Sequence, residues 1–258
     1  PLIEGAEWYH EVLAGSAPAP RIERSGDDTL MLYTGGTTGN PKGVVWRHVD
    51  LFGALGFTAY ASAGIEVPST PADVGRIAAE LQAAGKSPVM LCAPPLMHGT
   101  ALFLAIGAFV MGGTVVLLGS RSFDADELWD LVQRHRVTQI SLVGDAFARP
   151  LNEALDAAEA DGVLFDLTSV TRVVSTGATL SADQKRAFQR RLPNAVIIDM
   201  IGASEGGPYA MTMTLPGDEP PETAVFTAPA NVVTIDPLTN QVLPRGSQTP
   251  GMLAATGP

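Results

Sequence analysis

From about residue 87 the chain alternates short apolar runs with amphipathic ones, and the two periods predict strands alternating with helices. Val89 to Ala93 is a continuous apolar run bounded by Pro94 and Pro95, the pattern of a strand buried on both faces. A core helix over Thr100 to Met111 and a strand over Thr114 to Leu118 follow it. Asp124 to His135 sets Leu128, Leu131 and Val132 on one helical face behind an acidic first turn. Thr138 to Val143 reads as a strand, Ala146 to Ala160 as a helix, and Val170 to Ser175 as a short β-branched strand. Ser181 and Gln184 form a capping-box pattern opening a helix that runs to Leu192, and Ala195 to Ile201 is another apolar strand. This is βαβ logic, so the expected class is α/β, with a largely parallel sheet flanked by helices.

From about Pro216 the pattern changes. Pro and Gly become frequent, and Val232 to Ile235, Gln241 to Leu243 and Met252 to Ala255 read as short strands joined by turns, a small β subdomain. Residues 1–27, with Pro18 and Pro20, read as an irregular lead-in, which leaves 28–215 as the α/β region and 216–258 as the β-rich one. Ala101 to Leu118 is apolar enough to raise the question of a membrane span, and residues 87–120 hold no Asp, Glu, Lys or Arg. That length is at the lower limit for a bilayer, and Gly107, Gly112 and Gly113 break it, so a buried helix and strand are expected instead.

Composition adds mainly exclusions. Sixteen basic against twenty-seven acidic residues give a formal charge of -11, which argues against a general nucleic-acid-binding surface. The lone Cys92 lies in an apolar run and has no internal disulfide partner, so a structural thiol in a reducing, cytoplasmic setting is expected. One Cys and four scattered His residues assemble no zinc site.

The densest chemistry lies between Tyr33 and Val44. Gly35, Gly36 and Gly39 permit backbone turns that aim successive amides into one concavity, Thr34, Thr37 and Thr38 add hydroxyls, and Lys42 adds a point charge after the stiffening Pro41. An oligophosphate is the natural ligand. A Walker A loop is disfavoured, because Pro41 and Gly43 flank the lysine where Gly and Ser or Thr are required. The segment closely resembles the signature loop of the adenylate-forming superfamily, which includes acyl-CoA synthetases, luciferases and peptide-synthetase adenylation domains; Gly35 stands where Ser is common.

A second segment, Asp199 to Glu205, follows an apolar strand, where ligands of open α/β sheets collect. It resembles the motif Tyr-Gly-x-Thr-Glu of the same superfamily. The resemblance implies that Glu205, with Thr37, holds Mg²⁺, that Ser204 contacts the α-phosphate, and that Asp199, Met200, Ile201, Gly202 and Ala203 border the nucleotide. Ile201 takes the place of an aromatic residue and offers adenine only an apolar face. Ser175 to Ser181 is similar to a family segment beside the adenine, which implicates Gly177 and Ala178, and Pro94 to Gly99 is similar to one that puts His98 between acyl and adenylate sites. Gly43 to His48 and Val143 to Pro150 resemble actinobacterial ligases of fatty or steroid-side-chain acids, with Gly144 and Asp145, like Gly202, near the acid.

The resemblance implies part of the N-terminal domain of an acyl-CoA synthetase-like enzyme using ATP, Mg²⁺ and coenzyme A. The implied reaction is carboxylate attack on the α-phosphate, giving acyl-AMP and pyrophosphate, then a thioester; Lys42, Ser204 and Glu205 are its expected catalytic residues. Since the chain runs only from Pro1 to Pro258, it is expected to be the middle of a larger enzyme without the C-terminal lid domain, weak or inactive alone. An adenylating enzyme serving a carrier protein or an amine, and a non-catalytic nucleotide-binding module, remain open alternatives.

Overall fold

The structure, a computed structural model, describes residues 2–35 and 40–255. The stretch expected to be irregular holds one short helix, Tyr9–Gly15 (α1), with no buried residue. Tyr9, Val12 and Leu13 have helical spacing, but they remain exposed, so no core contact marks them in advance.

Thr29–Thr34 (β1) and Lys42–Arg47 (β2) form an antiparallel pair of their own. His48–Gly56 (α2) runs on as a π-helical stretch, Phe57–Ala61, and Pro71–Ala83 (α3) follows. Thr70 caps α3 by accepting from the Asp73 amide, with Pro71 in the first turn, where its missing N–H costs nothing.

Then come Val89–Cys92 (β3), Gly99–Val110 (α4), Thr114–Leu117 (β4), Ala125–His135 (α5), Gln139–Leu142 (β5) and Gly144–Ala160 (α6). Arg172–Thr176 (β6), Ala182–Arg191 (α7), Val196–Ala203 (β7) and Gly206–Thr214 (β8) complete the layer. The strand order is β4-β3-β5-β6-β7-β8, parallel throughout except for the antiparallel β7–β8 pair. Leu91, Ile140, Val173 and Ile197 are register partners across four strands and are all buried, a continuous row under α5, α6 and α7. Each such side chain contributes about 1.5–3 kcal/mol of apolar burial. On the opposite face, Met90 and Cys92 pack against Ala101, Ala105 and Ala108 of α4. Trp129 fixes α5 to α6 by donating its indole N–H to the Leu151 carbonyl at 2.9 Å.

Four local expectations are corrected. α6 starts at Gly144 rather than Ala146, because Gly144 takes a positive φ of 53° and its missing Cβ leaves room for the Thr179 carbonyl. The capping box does not form: Ser181 caps without its side chain, Gln184 Oε1 accepts from Asn152 Nδ2, and the Ser181 amide instead donates to the Asp145 carboxylate at 2.8 Å. β7 continues to Ala203 and turns at Ser204 and Glu205 into β8, so the second motif is strand and turn, not a loop after a strand. Gln241 to Leu243 contributes an isolated bridge between Val242 and Ile235, while Val232–Ile235 (β9) and Met252–Ala255 (β10) make a small antiparallel sheet.

One ion pair lies inside the layer. Lys185 of α7 and Asp199 of β7 meet at 3.2 Å with side chains 3% and 6% exposed. Burial pushes the Asp199 carboxyl up, the Lys185 ammonium opposes that, and nearby Asp145 adds to the rise. Lys185→Met removes the opposing cation and is expected to cost about 3–5 kcal/mol at neutral pH. A raised carboxyl favours its protonated form when folded, so that deficit should shrink as pH falls toward about 4. Urea unfolding across pH checks this, and a loss independent of pH would count against the pair.

Candidate functional site

In a mostly parallel sheet the loops after the strands share one end, and the order here reverses direction between β3 and β5, the place where such sheets open a crevice. A cavity of about 580 Å³ lies at that end. Its strand-side wall comes from Pro95 and Met97 to Thr100 after β3, Thr176 and Gly177 at the end of β6, and Met200 with Gly202 to Ser204 at the end of β7. The hairpin closes another side with Leu32 to Gly35 and Trp46. Leu51, Ala54, Leu55 and Thr58, at i, i+3, i+4 and i+7 along α2 and its extension, supply an apolar wall that Phe103 and Leu104 of α4 continue. Among the described residues, none of those lining the cavity is Asp, Glu, Lys or Arg.

The hairpin brings Thr34 and Lys42 together as register partners, with Thr34 Oγ1 donating to the Lys42 carbonyl at 3.4 Å. Lys42 is exposed, is not among the residues lining the cavity, and has no ion-pair partner among the described residues. Gly36, Thr37, Thr38 and Gly39 lie outside the described residues.

The β7–β8 turn presents Ser204, half-buried, and Glu205, exposed. Glu205 does not line the cavity itself, but Ser204 and Gly206 on either side do. Glu205 makes no ion pair among the described residues, which leaves both carboxylate oxygens available to a cation. Among the described residues no cluster of three or more His, Cys, Asp and Glu exists, so a hard cation here would depend on a ligand's own oxygens for most of its shell.

His98 lines the cavity and caps α4, its Nδ1 accepting from the Thr100 amide at 3.2 Å. In the neutral ring that bond assigns the proton to Nε2. A Cβ on neighbouring Gly99 would lie 3.3 Å from Ser204 Oγ and 3.2 Å from Leu32 Cδ2, so the bare glycine backbone is what lets the serine hydroxyl approach.

The remaining sequence candidates separate. Gly177, Met200, Gly202 and Ala203 line the cavity; Ala178, Ile201 and Asp199 do not. Asp199 is committed to the buried pair with Lys185. Gly144 and Asp145 also lie off the cavity: the Gly144 amide donates to Ser175 Oγ and Asp145 holds the Ser181 amide. They bracket the loop that carries Gly177 and support the site from behind. Sequence reasoning missed the α2 wall, Phe103, Thr176 and the Trp46 indole as cavity residues. The helical spacing of Leu51, Ala54, Leu55 and Thr58 was the available signal, and it is indistinguishable from ordinary core packing.

The profile of the family described as AMP-binding enzyme matches residues 3–258. A medium/long-chain-fatty-acid–CoA/3-oxocholest-4-en-26-oate–CoA ligase of Mycolicibacterium smegmatis is 37% identical over 98% of this chain and 44% of its own length. A 3-oxocholest-4-en-26-oate–CoA ligase of Rhodococcus rhodochrous is 33% identical over 98% of the chain and 44% of its own. The chain thus spans less than half the length of these curated relatives. Among solved structures, the N-terminal domain of FACL13 from Mycobacterium tuberculosis superposes with a TM-score of 0.61 at 22% identity, covering 91% of this chain and 52% of that one, a likeness of fold.

Gly99→Ala should crowd the Ser204 hydroxyl while improving helix propensity at the start of α4. In the full-length protein we expect an unchanged or higher Tm together with ATP binding weakened about threefold to tenfold, the worth of one hydrogen bond. Calorimetric titration alongside a melt checks it, and unaltered affinity would count against Ser204 as a nucleotide contact.

Proposed function

This chain belongs to the AMP-binding enzyme family, and we propose that the protein containing it activates a fatty or steroid-side-chain acid with ATP and passes the acyl group to coenzyme A. The observation that carries this reading is the cavity of about 580 Å³, uncharged among the described residues, apolar along α2 and α4 and hydroxyl-lined at the Ser204 end. Its size lies within the range of about 300–1,000 Å³ typical of small-molecule sites. A hydrocarbon tail or ring system is favoured against Leu51, Leu55 and Phe103, and a carboxylate head is favoured beside Thr34, Ser204 and the His98 Nε2–H. No lining carboxylate exists among the described residues to receive an ammonium group, which speaks against an amino-acid substrate.

In the proposed reaction the acid's carboxylate oxygen attacks the α-phosphorus of ATP, the bond to the bridging oxygen breaks, and pyrophosphate leaves with that electron pair. The CoA thiol, losing its proton, then displaces AMP from the acyl carbon. This chain's residues contribute position and charge rather than covalent catalysis. Lys42 opposes the charge of the triphosphate and the departing pyrophosphate, with its register partner Thr34 beside it. Ser204 donates to an α-phosphate oxygen. Glu205 would hold Mg²⁺, which supplies further neutralisation of the phosphate oxygens. The apolar walls exclude water that would otherwise hydrolyse the adenylate.

Two features support the reading: two charged groups of opposite sign, Lys42 and Glu205, that make no ion pair among the described residues and flank residues lining the cavity in sequence or register, and the ligase names of the two relatives over nearly the whole chain. No described helix is long and apolar enough to cross a membrane.

The test is carboxylate-dependent exchange of pyrophosphate into ATP by the full-length protein over a panel of fatty and steroid-side-chain acids. Lys42→Ala and Glu205→Ala should each lower the exchange rate about 100-fold or more, as loss of one preorganised electrostatic contact does. Wild-type exchange in both variants would overturn the site assignment. Product analysis with CoA, a carrier protein and an amine as acceptors should return only the CoA thioester.

A further inference from the structure

The hairpin of β1 and β2 is a sheet separate from the six-stranded one. Among the described residues a single hydrogen bond joins the two: Trp46 Nε1–H donates to the Ser204 carbonyl at 2.8 Å. Trp46 is half-buried in β2, its indole lines the cavity, and its ring meets Phe103 edge-on at a centroid distance of 6.3 Å and an interplanar angle of 75°. Leu51 and Phe103 line the same cavity from α2 and α4. One side chain therefore touches the apolar space with its ring and the Ser204 turn with its N–H.

We propose that Trp46 is a positioning residue that couples filling of the apolar cavity to the placement of the Ser204 hydroxyl, so that a well-fitting acid speeds its own activation. The inference rests on the acid-activating reading above. A ligand tail packed against the indole and Phe103 restrains the ring, and the restrained N–H holds the Ser204 carbonyl, which fixes the turn carrying the hydroxyl and Glu205. An acid too short to reach the indole leaves the ring free to move, and the turn with it. Binding energy from a part of the substrate remote from the carboxylate is thus expressed in kcat rather than in KM alone. Ser204 Oγ already sits in a tight slot beside Gly99, so a shift of a few tenths of an ångström in the turn changes its reach.

The test compares full-length wild type with Trp46→Phe, which keeps a ring and loses the donor. Pyrophosphate exchange is measured with a homologous series of acids from short to long. In wild type, kcat should rise with chain length until the cavity is filled. In the variant, kcat with long acids should fall roughly tenfold, the equivalent of about 1.4 kcal/mol for one hydrogen bond. The dependence of kcat on length should flatten, while KM for the long acids changes by less than about threefold. A merely structural role would lower kcat by the same factor for every acid and would not flatten the series. If Trp46→Phe lowers the Tm, β-(3-benzothienyl)alanine at position 46, which replaces the N–H by sulfur at nearly constant shape, should give the same flattening in a normally folded protein. A wild-type length dependence that persists in both variants overturns the coupling and leaves the acid-activating reading intact. Absence of exchange with every acid in wild type overturns that reading and the coupling with it.

Discussion

Five parallel strands, with helices packed on both faces of the sheet, leave the chain no way across it except over its ends, and that constraint places the chemistry. Every strand-to-helix loop emerges at the same carboxyl edge, so residues far apart in sequence, such as His98 after β3, Gly177 after β6 and Ser204 after β7, come together without any contact designed to recruit them. The apolar rows through Leu91, Ile140, Val173 and Ile197 set the register, and the register sets which loop residues face one another.

The cavity is asymmetric in a way that suits a molecule with a hydrocarbon body and an anionic head. Helical residues, which bury their apolar stripe anyway, give the greasy wall; strand ends, where backbone groups and short side chains emerge, give the polar one. Among the described residues no charged side chain lines the cavity, while Lys42 on the hairpin and Glu205 on the β7–β8 turn adjoin residues that do. Among the described residues one charged pair is buried: Lys185 of α7 with Asp199 of β7, which pins to α7 the strand that leads into that turn. Asp145 and Gly144 secure the neighbouring loop in a similar way.

Much of the layer was legible in the sequence because a parallel sheet writes itself as short apolar runs: β3, β4, β5, β6 and β7 all fall where such runs stand. β8 was not, since Gly206, Gly207 and Pro208 at its start read as turn signals and only tertiary pairing with β7 overrides them. The phosphate-loop segment was legible as chemistry, through glycines, hydroxyls and one lysine whose combination suits an oligophosphate. Asp199, Gly144 and Asp145 show the limit of position-by-position transfer: they border the site in sequence, yet their side chains or backbones serve the fold. Trp46 shows the converse. A tryptophan in a strand looks like packing, and only the third dimension reveals that its N–H reaches a residue 158 positions away.

The central claim is that Thr34 and Lys42 of the hairpin, the Ser204 turn and the apolar wall of α2 and α4 form one adenylation site. A crystal structure of the full-length protein with a hydrolysis-resistant acyl-sulfamoyl adenosine tests it most directly. The account predicts the sulfamoyl group within hydrogen-bond distance of Ser204 and the acyl tail between Leu55, Phe103 and Trp46. An analogue bound elsewhere, or bound here with its tail outside that wall, would contradict it.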